Sequence, residues 1–587
     1  MRKTTAVLWL VTMPALATCA EYFVDSDGGS DEASGSGPEH AIRSLDRLAG
    51  ITLEPGDTVR LKAGSAFRGR LRFSGNGTKE RPLHLTSYGE GPKPEILGSV
   101  IPTGWQQHAG EVHRVSIPAE SFRGPGATYG VCEYDGPVPR RLRRAEGIPS
   151  ARGSFFFDKV DSTLYVITTD GLAPERHRIE VSLIDEILSL TGRSWIEIEG
   201  LAFLFGNCRH INIVDCHDVT IRNCASLFMG LYGNPNTLIH RGSTRVALLD
   251  CFLYDNANCG VFLSSGATRC RVAGCTIVKC SSNDGITCHS GGRDDKGVRQ
   301  GLTGDYNVID SNVIGLCPEE SIDITSGDYH TILGNICYGN GNPGIIVGHD
   351  SDHIRIESNI CFGNRRSGIH IAGSEAEGAR GHNRVIRNLV YDNDYPGIEI
   401  DAPGTVVWHN TVVDSRKRVG VRINPAGSGS DLRNNIICTL DPTIPHPSVH
   451  FIRGTPAGFG VTFGYNLLYH AGDAAKPEVF LPTSRPIRTD DGSFGPEGLI
   501  ATYGTGEGCL LAKPLFADIE NRYYLLSADS PAVDAGADLG LPFEGNAPDL
   551  GWRELSGKDV GPRYPAFLID GENDDPKILS LWGKPSE

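Results

Sequence analysis

Three features are missing from the 587-residue sequence. After residue 20 no stretch is apolar over the ~20 residues that a membrane-spanning helix needs, so no membrane span is predicted there. The chain has 16 cysteines, yet no CxxC pair and no Cys/His cluster has zinc-site spacing, so no bound metal is predicted. Basic residues are outnumbered by acidic ones, 55 to 71, and this negative charge argues against nucleic acid or anionic membranes as partners.

Residues 1–20 have the pattern of a secretory signal peptide. Arg2 and Lys3 precede an apolar run, and small residues before Glu21 offer a cleavage site. Removal of this segment would leave 53 basic and 71 acidic residues, a net charge of −18. We therefore expect a secreted or periplasmic protein. The alternative is a lipid anchor on Cys19, which Thr18 disfavours because it is a poor residue for that position of a lipobox.

The sequence is rich in one repeated phrase: a small residue, an aliphatic, any residue, another aliphatic, then a turn. Successive copies start 25, 36, 23, 24, 29 and 23 residues apart. A short strand that recurs at this period is typical of a coiled parallel β-helix, in which equivalent residues stack about 4.8 Å apart on adjacent coils. The copies are residues 259–263, 284–288, 320–324, 343–347, 367–371, 396–400 and 419–423.

A second column of polar residues, mostly Asn, runs through the same coils. Asn tolerates the left-handed backbone of a tight corner, and stacked Asn side chains can hydrogen-bond to one another, so a structural role is predicted. The column is Asn223, Asp250, Gly274, Asn312, Asn335, Asn359, Asn388, Asn410 and Asn435. Cys224, Cys251 and Cys275 share one repeat position and are predicted to be small core residues rather than disulfide partners.

The repeat also divides the chain. Residues 21–100 are predicted to form an N-terminal cap and the first coils, with an amphipathic capping helix over residues 41–48. Residues 101–190 lose the period, and the patterns at 153–158 and 163–167 predict a small inserted domain of antiparallel strands. Residues 191–470 are predicted to be the parallel β-helix, and residues 471–587 an irregular segment. The predicted fold class is therefore all-β: a parallel β-helix solenoid with a capping helix and an inserted β-domain.

Two columns of the repeat are predicted to face outward on one sheet, because side chains alternate along a strand. The first column is Phe262, Thr287, Asp323, Ile346, His370, Glu399 and Arg422. The second column is Ser264, His289, Thr325, Gly348, Ala372, Asp401 and Asn424. Polar groups are expected on any solenoid surface, but histidines and carboxylates together on one face are also typical of an acid–base site.

Coil spacing ranks the candidate pairs. His370, Glu399 and Arg422 occupy consecutive coils, each about 4.8 Å from the next, and Asp401 lies about 7 Å from Glu399 along the strand. Asp323 and Glu399 are three coils apart, roughly 14 Å. That distance exceeds the ~5–9.5 Å between paired carboxylates of glycosidases, so these two are not expected to act together.

Two compact candidate sites remain, one on the coils of residues 284–323 and one on those of residues 370–422. In the first, Asp284 and Glu320 are one coil apart, about 5 Å, and His289 lies roughly 8 Å from Asp323. We favour the first, because the long gap between its coils, residues 291–305, makes a loop that could wall a cleft. The candidate catalytic residues are Asp284, Glu320, Asp323, His289, His370 and Glu399, and the candidate substrate-binding residues are Arg422, Asp401 and His349.

The repeat over residues 21–470 resembles the right-handed parallel β-helix superfamily of pectin-lyase-like proteins. The resemblance implies a right-handed coil and a secreted, carbohydrate-active protein. The segment Asn283-Asp284-Gly285-Ile286 is similar to one strand of the polygalacturonases, and residues 319–327 are similar to their paired-acid strand. The following coil, Asn342-Pro343-Gly344, lacks the histidine of that family. The resemblance implies that Asp284 and either Glu320 or Asp323 are general acid and base.

Three functions are compatible with these observations. The first is a glycoside hydrolase that uses two carboxylates and needs no cofactor. The second is a polysaccharide lyase or uronate epimerase, with Arg422, His370 or Lys296 as the base and Ca²⁺ held by Glu320 and Asp323. The third is a non-catalytic solenoid that serves as a surface protein or binds carbohydrate. In each case the expected partner is a poly- or oligosaccharide, and the oligomeric state stays open.

Overall fold

The computed structural model describes residues 19–121, 126–134, 138–230, 233–291, 301–373, 381–445, 448–451, 458–472, 479–480, 505–517, 519–522 and 524–555. The predicted signal peptide lies outside these residues except for Cys19 and Ala20, as does the segment 292–300 of the predicted cleft loop, with Lys296. Within the described residues, every helix is too short or too polar to cross a bilayer.

Three parallel sheets build most of the described chain, and each takes one strand from nearly every coil. The first has 14 strands: Glu21–Val24, Thr58–Lys62, Leu83–Tyr88, Ser194–Glu199, His217–Arg222, Thr244–Leu249, Arg271–Ala273, Val308–Asp310, Thr331–Leu333, Arg355–Glu357, Arg384–Ile386, Val406–Trp408, Asp431–Arg433 and Thr462–Gly464. The second, called the site sheet below, has 12: Glu186–Thr191, Arg209–Val214, Thr237–His240, Val261–Ser264, Ile286–His289, Ile322–Asp328, Ile345–Asp352, Ile369–Ile371, Ile398–Ile400, Val421–Ile423, Val449–Phe451 and Val479–Phe480. The third has 14: Ala66–Arg68, Glu95–Leu97, Ala202–Leu204, Ala225–Leu227, Phe252–Asn256, Thr276–Cys280, Val313–Gly315, Ile336–Tyr338, Ile360–Phe362, Leu389–Tyr391, Thr411–Val413, Ile436–Thr439, Leu467–His470 and Leu510–Leu511.

The aliphatic residues of the repeat fill the interior between these sheets. Ile322, Ile345, Ile369, Ile398 and Val421 stand in register on consecutive coils of the site sheet, and all are buried. Burying such a side chain is worth about 1.5–3 kcal/mol, so each coil is stabilised chiefly by the coils beside it. The predicted all-β parallel β-helix is confirmed by this arrangement. Because the strands are in register, the scaffold also holds its outward residues at fixed spacing.

The polar column forms a hydrogen-bonded ladder inside the coil. The side-chain amide of each Asn in this ladder donates a hydrogen bond to the side-chain oxygen of the next Asn at 2.9–3.0 Å. The ladder consists of Asn312, Asn335, Asn359, Asn388, Asn410, Asn435 and Asn466. Cys275 continues the ladder before Asn312, to which its backbone N–H donates. The prediction that Asn223, Asp250 and Gly274 belong to this column was wrong by one residue. They instead form the left-handed corner just before it, with φ of 49°, 52° and 64°.

All sixteen cysteines are free thiols, and all except Cys19 are buried. Cys337 and Cys361 stand in register on neighbouring strands of the third sheet. The backbone N–H of Cys251 donates to the Cys275 sulfur at 3.4 Å. These side chains therefore act as small core residues, which fill the same space as the apolar residues of other coils.

The described N-terminal part contains an α-helix, Leu45–Ala49, whose apolar residues Leu45 and Leu48 join the main core. Ser44 caps it by accepting the backbone N–H of Arg47. The helix predicted over residues 41–48 is therefore too long at its start, since Ile42 pairs instead with Val24 of the first sheet. The described 3-10 helices are Pro38–His40, Ala119–Ser121, Pro174–Arg176 and Pro425–Gly427.

Two smaller sheets, largely antiparallel, lie within residues 99–182. One has the strand order Pro139–Arg141, Val131–Tyr134, Arg178–Ser182 and Ser99–Val100. The other has the order Arg143–Arg144, Ser154–Asp158, Thr163–Ile167, Val112–Ser116 and Gln106–Ala109. The strands Ser154–Asp158 and Thr163–Ile167 pair antiparallel, in the region where the sequence loses its period. The boundaries drawn for the cap, the inserted domain and the C-terminal segment stay predictions.

Candidate active site

The two outward columns of the repeat lie on the site sheet. Thr287, Asp323, Ile346, His370, Glu399 and Arg422 follow one another in register on consecutive strands. Asp323 and Glu399 are therefore separated by three strand-to-strand steps, as the spacing predicted. The column divides into two groups of charged residues, with Ile346 between them.

The first group, called the acidic cluster, consists of Asp284, Glu319, Glu320 and Asp323. Asp284 and Glu320 lie on adjacent coils, each two residues before the first inward aliphatic of its strand. Other coils carry Cys259, Pro343 and Pro396 at that position. Asp284 is only 2% exposed and Glu320 8%. Ser367 is a polar residue at the same position, but only these two coils place a carboxyl group there among the seven copies of the repeat. Two desolvated carboxyl groups are costly unless they are hydrogen-bonded or protonated.

Hydrogen bonds hold Asp284 against the neighbouring coil. Its Oδ1 accepts the backbone N–H of Glu320 at 3.0 Å, and its Oδ2 accepts the hydroxyl of Thr287 at 2.8 Å. The side chains of Asp284 and Glu320 are also hydrogen-bonded to each other. One oxygen each from Asp284, Glu319 and Glu320 lies within 4.8 Å of the others. At least one proton must be shared between such close carboxyl groups near neutral pH.

Asp323 stands next to this hydrogen-bonded pair. It is in register with Thr287, the residue that donates to Asp284. The hydroxyl of Thr325 donates to its Oδ2 at 2.7 Å. Asp323 is partly exposed on the sheet face, whereas Asp284 and Glu320 are buried beneath it. The cluster therefore has two buried carboxyl groups, Asp284 and Glu320, and two that reach the surface, Glu319 and Asp323.

Burial raises the pKa of every member of the cluster. For Glu320, burial, the hydrogen bond with Asp284 and the neighbouring carboxylates raise the pKa to about 9. For Asp323, burial and the charge of Asp284 raise the pKa to about 7, against the hydrogen bond from Thr325. The pKa values of Asp284 and Glu319 are raised chiefly by burial. The charged neighbours that act on these pKa values are all carboxylates, so no described cation compensates them.

The second group, called the paired cluster, consists of His370, Glu399, Asp401 and Arg422. His370 Nε2 lies 2.9 Å from Asp401 Oδ2, and Arg422 Nη2 makes an ion pair with Glu399 Oε1. Each carboxylate also accepts a hydrogen bond from a neutral side chain. The Ser367 hydroxyl donates to Glu399 at 2.9 Å, and the Asn424 side-chain amide donates to Asp401. Each carboxylate of this group therefore has a basic partner on an adjacent coil.

The remaining predicted residues lie apart from both groups. His289 is exposed and in register with Ser264, and its ring centroid is 6.4 Å from that of Phe262. Its described contacts do not include Asp323. His349 belongs to the strand Ile345–Asp352 at a register shift against the preceding strand, and its side chain lies outside the described part of the structure. The prediction that His289 and His349 serve the site stays a prediction.

Sequence reasoning gave no role to Glu319, Thr287 or Thr325. Glu319 belongs to the same short segment as Glu320, and both threonines stand in the two outward columns, so the repeat contained a signal for all three. It also missed Tyr395, whose ring lies beneath two guanidinium groups: Arg366 at 5.9 Å and Arg418 at 5.6 Å from its centroid. These three residues stand at one repeat position, just before the strands of the paired cluster, and make that end of the site sheet more basic.

The acidic cluster also fits a hard cation. Ca²⁺ takes carboxylate oxygens at about 2.3–2.6 Å, so oxygens bound to one ion lie within about 5 Å of each other. The oxygens of Asp284, Glu319 and Glu320 meet this limit. Asp323, one of the two ligands expected from the sequence, is not part of that three-residue group. The arrangement can thus serve as a proton donor and acceptor, or as a cation ligand set.

Comparisons with known proteins agree with this fold. Residues 297–437 match the family model described as a right-handed β-helix region. No curated protein matches the chain in sequence. Among solved structures the chain is similar to XylC in complex with xylose, at 13% identity, over 79% of this chain and 86% of that chain, with a TM-score of 0.48.

Two further solved structures are similar in fold. One is a lacto-N-biosidase from Eubacterium ramulus, at 12% identity, over 84% of this chain and 68% of that chain, with a TM-score of 0.36. The other is an alginate lyase of the PL6 family, AlyGC, at 11% identity, over 79% of this chain and 53% of that chain, with a TM-score of 0.43. At these identities the likeness concerns the fold alone. The family match and the three parallel sheets together confirm the predicted resemblance: the chain forms a right-handed parallel β-helix.

Proposed function

We propose that this protein is a carbohydrate-active enzyme, a glycoside hydrolase whose reacting groups are the carboxyl groups of the acidic cluster. The observation that carries the proposal is the contact between two buried carboxyl groups, Asp284 and Glu320, beside a third, Asp323, with no described cation paired to them. Groups with strongly shifted pKa values that face a surface are frequent at active sites. Such groups in close contact would be unfavourable for stability alone.

In this proposal Glu320 is the general acid. Its raised pKa keeps it protonated near neutral pH, with Asp284 as the neighbouring carboxyl group that raises that pKa. Glu320 gives its proton to the glycosidic oxygen as the bond to the sugar carbon breaks. Asp323, ionised above its pKa of about 7, removes a proton from the water that adds to the same carbon. Activity is therefore expected to rise through about pH 7 and to fall as Glu320 loses its proton.

A polysaccharide lyase is the second candidate, and the three carboxylate oxygens within 4.8 Å favour it. Bound Ca²⁺ would neutralise the substrate carboxylate and acidify the neighbouring C–H bond. Of the three bases expected from the sequence, Lys296 lies outside the described residues, and the other two stand at a distance from Asp323. His370 stands two strands from Asp323 in the column, about 10 Å, and Arg422 stands four strands away, about 19 Å. Hydrolysis therefore remains the first choice.

A panel of neutral and uronate-containing polysaccharides tests the proposal. New reducing ends without ultraviolet absorbance support hydrolysis, and absorbing unsaturated products that require Ca²⁺ support the lyase. Binding without products would contradict both. The matched variants are Glu320→Gln, which should abolish product formation, and Glu357→Gln, an ion-paired carboxylate of the first sheet, which should not. Secretion or a periplasmic location belongs to the same proposal, and N-terminal sequencing of the mature protein would test it.

A further inference from the structure

A ladder of stacked rings runs along one corner of the coil, outside both charged groups. Tyr306, Tyr329, His353 and His382 take the same corner position on consecutive coils, each with left-handed backbone. Their ring centroids are 5.1, 4.9 and 5.2 Å apart in that order, and adjacent ring planes are within 27° of parallel. The two imidazole rings are therefore held face to face by the ladder.

One carboxylate lies beside both imidazoles. Asp352, the last residue of its strand, has its Oδ1 3.1 Å from His353 Nδ1 and 3.3 Å from His382 Nδ1. Nitrogen and oxygen atoms bound to one tetrahedral metal ion at ~2.0–2.1 Å are about 3.3 Å apart. Charge-assisted hydrogen bonds are usually shorter, about 2.7–2.9 Å. Asp352 Oδ1 accepts the backbone N–H of His353 at 3.0 Å and is within hydrogen-bond distance of His382 Nδ1. The two separations from the imidazole nitrogens are also close to the edge of such a tetrahedral ligand set.

We propose that Asp352, His353 and His382 bind a divalent transition-metal ion such as Zn²⁺. One ligand atom from each residue lies within 4.8 Å of the other two. Two imidazole nitrogens and one carboxylate oxygen suit Zn²⁺ and the later first-row metals, and do not suit Ca²⁺ or Mg²⁺, which prefer oxygen alone. This assignment differs from the sequence-based prediction of no metal. No zinc spacing is visible in the sequence, because the two histidines are 29 residues apart and meet only through coil stacking.

The surroundings allow the ion to enter while keeping the ligands oriented. The side chains of His353 and His382 are 46% and 68% exposed, whereas that of Asp352 is 15% exposed. Tyr329 covers one face of His353 and fixes the plane of its ring, as supporting residues do at other metal sites. Three protein ligands leave one tetrahedral position for water or another ligand. The bound ion would link two coils of the solenoid.

This site is independent of the proposed active site. It shares no residue with the acidic cluster: Asp352 is in register with Asp328, which lies five residues beyond Asp323 on the neighbouring strand. The bound metal and the hydrolytic reaction can therefore be tested separately.

Calorimetric titration with Zn²⁺ and the visible spectrum of the Co²⁺ form test the assignment on the full chain after chelator treatment. We expect one bound ion per chain and the intense bands of tetrahedral Co²⁺. His353→Ala, His382→Ala and Asp352→Asn should each weaken binding at least about tenfold. His217→Ala is the matched control, because His217 also pairs with a carboxylate, Asp218, but has no second histidine among its described partners.

Unchanged affinity in the His353 and His382 variants would overturn the assignment, as would wild-type binding no tighter than that of a surface histidine. Circular dichroism of each variant separates loss of the site from loss of the fold. Asp352→Asn preserves the size of the side chain, so a folded Asp352→Asn protein that binds Zn²⁺ normally would also contradict the proposal.

Discussion

The acidic cluster and the paired cluster both place carboxyl groups on the same sheet, yet they differ in how those charges are compensated. In the paired cluster the strand after Glu399 carries Arg422, and Asp401 lies beside His370. In the acidic cluster the strand after Asp323 carries Ile346, and among the described residues the charged groups that act on Asp323 are carboxylates. A single column thus contains, in equivalent positions, a carboxylate paired with a cation and one without a cation among its described neighbours.

The difference separates a structural arrangement from a reactive one. In the paired cluster, Glu399 is ion-paired with Arg422 and accepts a hydrogen bond from Ser367, so its negative charge is compensated. Carboxyl groups that raise one another's pKa retain a proton that can be transferred at that pH. Both groups contain outward carboxylates of the same column, Asp323 and Glu399, and the residue on the next coil distinguishes these two. The following predictions test whether this distinction decides function.

The largest expected effect is on activity. Glu320→Gln and Asp323→Asn should each lower kcat by about 10²–10⁴-fold, the usual contribution of a general acid or base. Glu399→Gln, the equivalent change in the paired cluster, should change kcat by less than about fivefold. Rates on the substrate identified by the polysaccharide panel measure this. Equal losses in both clusters would remove the distinction, and a loss only at Glu399 would reverse it.

The next effect is on stability. The pKa of Glu320 is raised in the folded protein, so its contribution to stability is fully present below its unfolded pKa and is lost as pH rises towards about 9. Each pH unit in that interval costs up to about 1.4 kcal/mol. Glu320→Gln cannot ionise, so it should be more stable than wild type at pH 8, by at least about 1 kcal/mol, and not at pH 4. Urea unfolding at both pH values measures this, and a Gln variant that is less stable at pH 8 would contradict it.

Removing the cation from the paired cluster should destabilise the protein. Arg422→Met leaves Glu399, which is 6% exposed, without its partner, and loss of one member of a buried pair costs up to about 3–5 kcal/mol. Because Arg422 is partly exposed, we expect about 1–3 kcal/mol. The double variant Arg422→Met, Glu399→Gln should recover most of that loss, because no unpaired charge remains. Free energies of unfolding for the four proteins measure the coupling, and simple additivity would show that the pair is not stabilising.

Supplying a cation to the acidic cluster should make it resemble the paired cluster. Ile346 has the same relation to Asp323 that Arg422 has to Glu399, one strand further in the same column. Ile346→Arg should therefore lower the pKa of Asp323 from about 7, by about one unit or more. The acidic limb of the pH–rate profile should move down by the same amount, and Ile346→Gln should leave it in place. An unchanged limb in the Arg variant would show that Asp323 does not set it.

The fold and the outward columns could be predicted because a solenoid turns sequence period directly into spatial neighbours. Asp323, His370, Glu399 and Arg422 therefore stand where the repeat placed them. The repeat period does not specify the conformation of a side chain. Asp284 was one residue of a repeated phrase, and its burial and hydrogen bonds with Thr287 and Glu320 depend on side-chain conformation. The one-residue error at Asn223 arose because Asn suits both the corner and the adjacent ladder.

The smallest expected effect concerns Glu319, the exposed member of the acidic cluster. Its charge helps to raise the pKa of both Glu320 and Asp323, after the larger contributions of burial and of the nearer carboxylates. Glu319→Gln should therefore lower both pKa values by a few tenths of a unit, which moves both limbs of the pH–rate profile slightly downward. It should change the maximum rate by less than about threefold, because Glu319 transfers no proton in the proposed reaction. The contrary outcome is that activity requires Ca²⁺ and that Glu319→Gln abolishes it. Glu319 would then act as a metal ligand, and the cluster would belong to a lyase rather than a hydrolase.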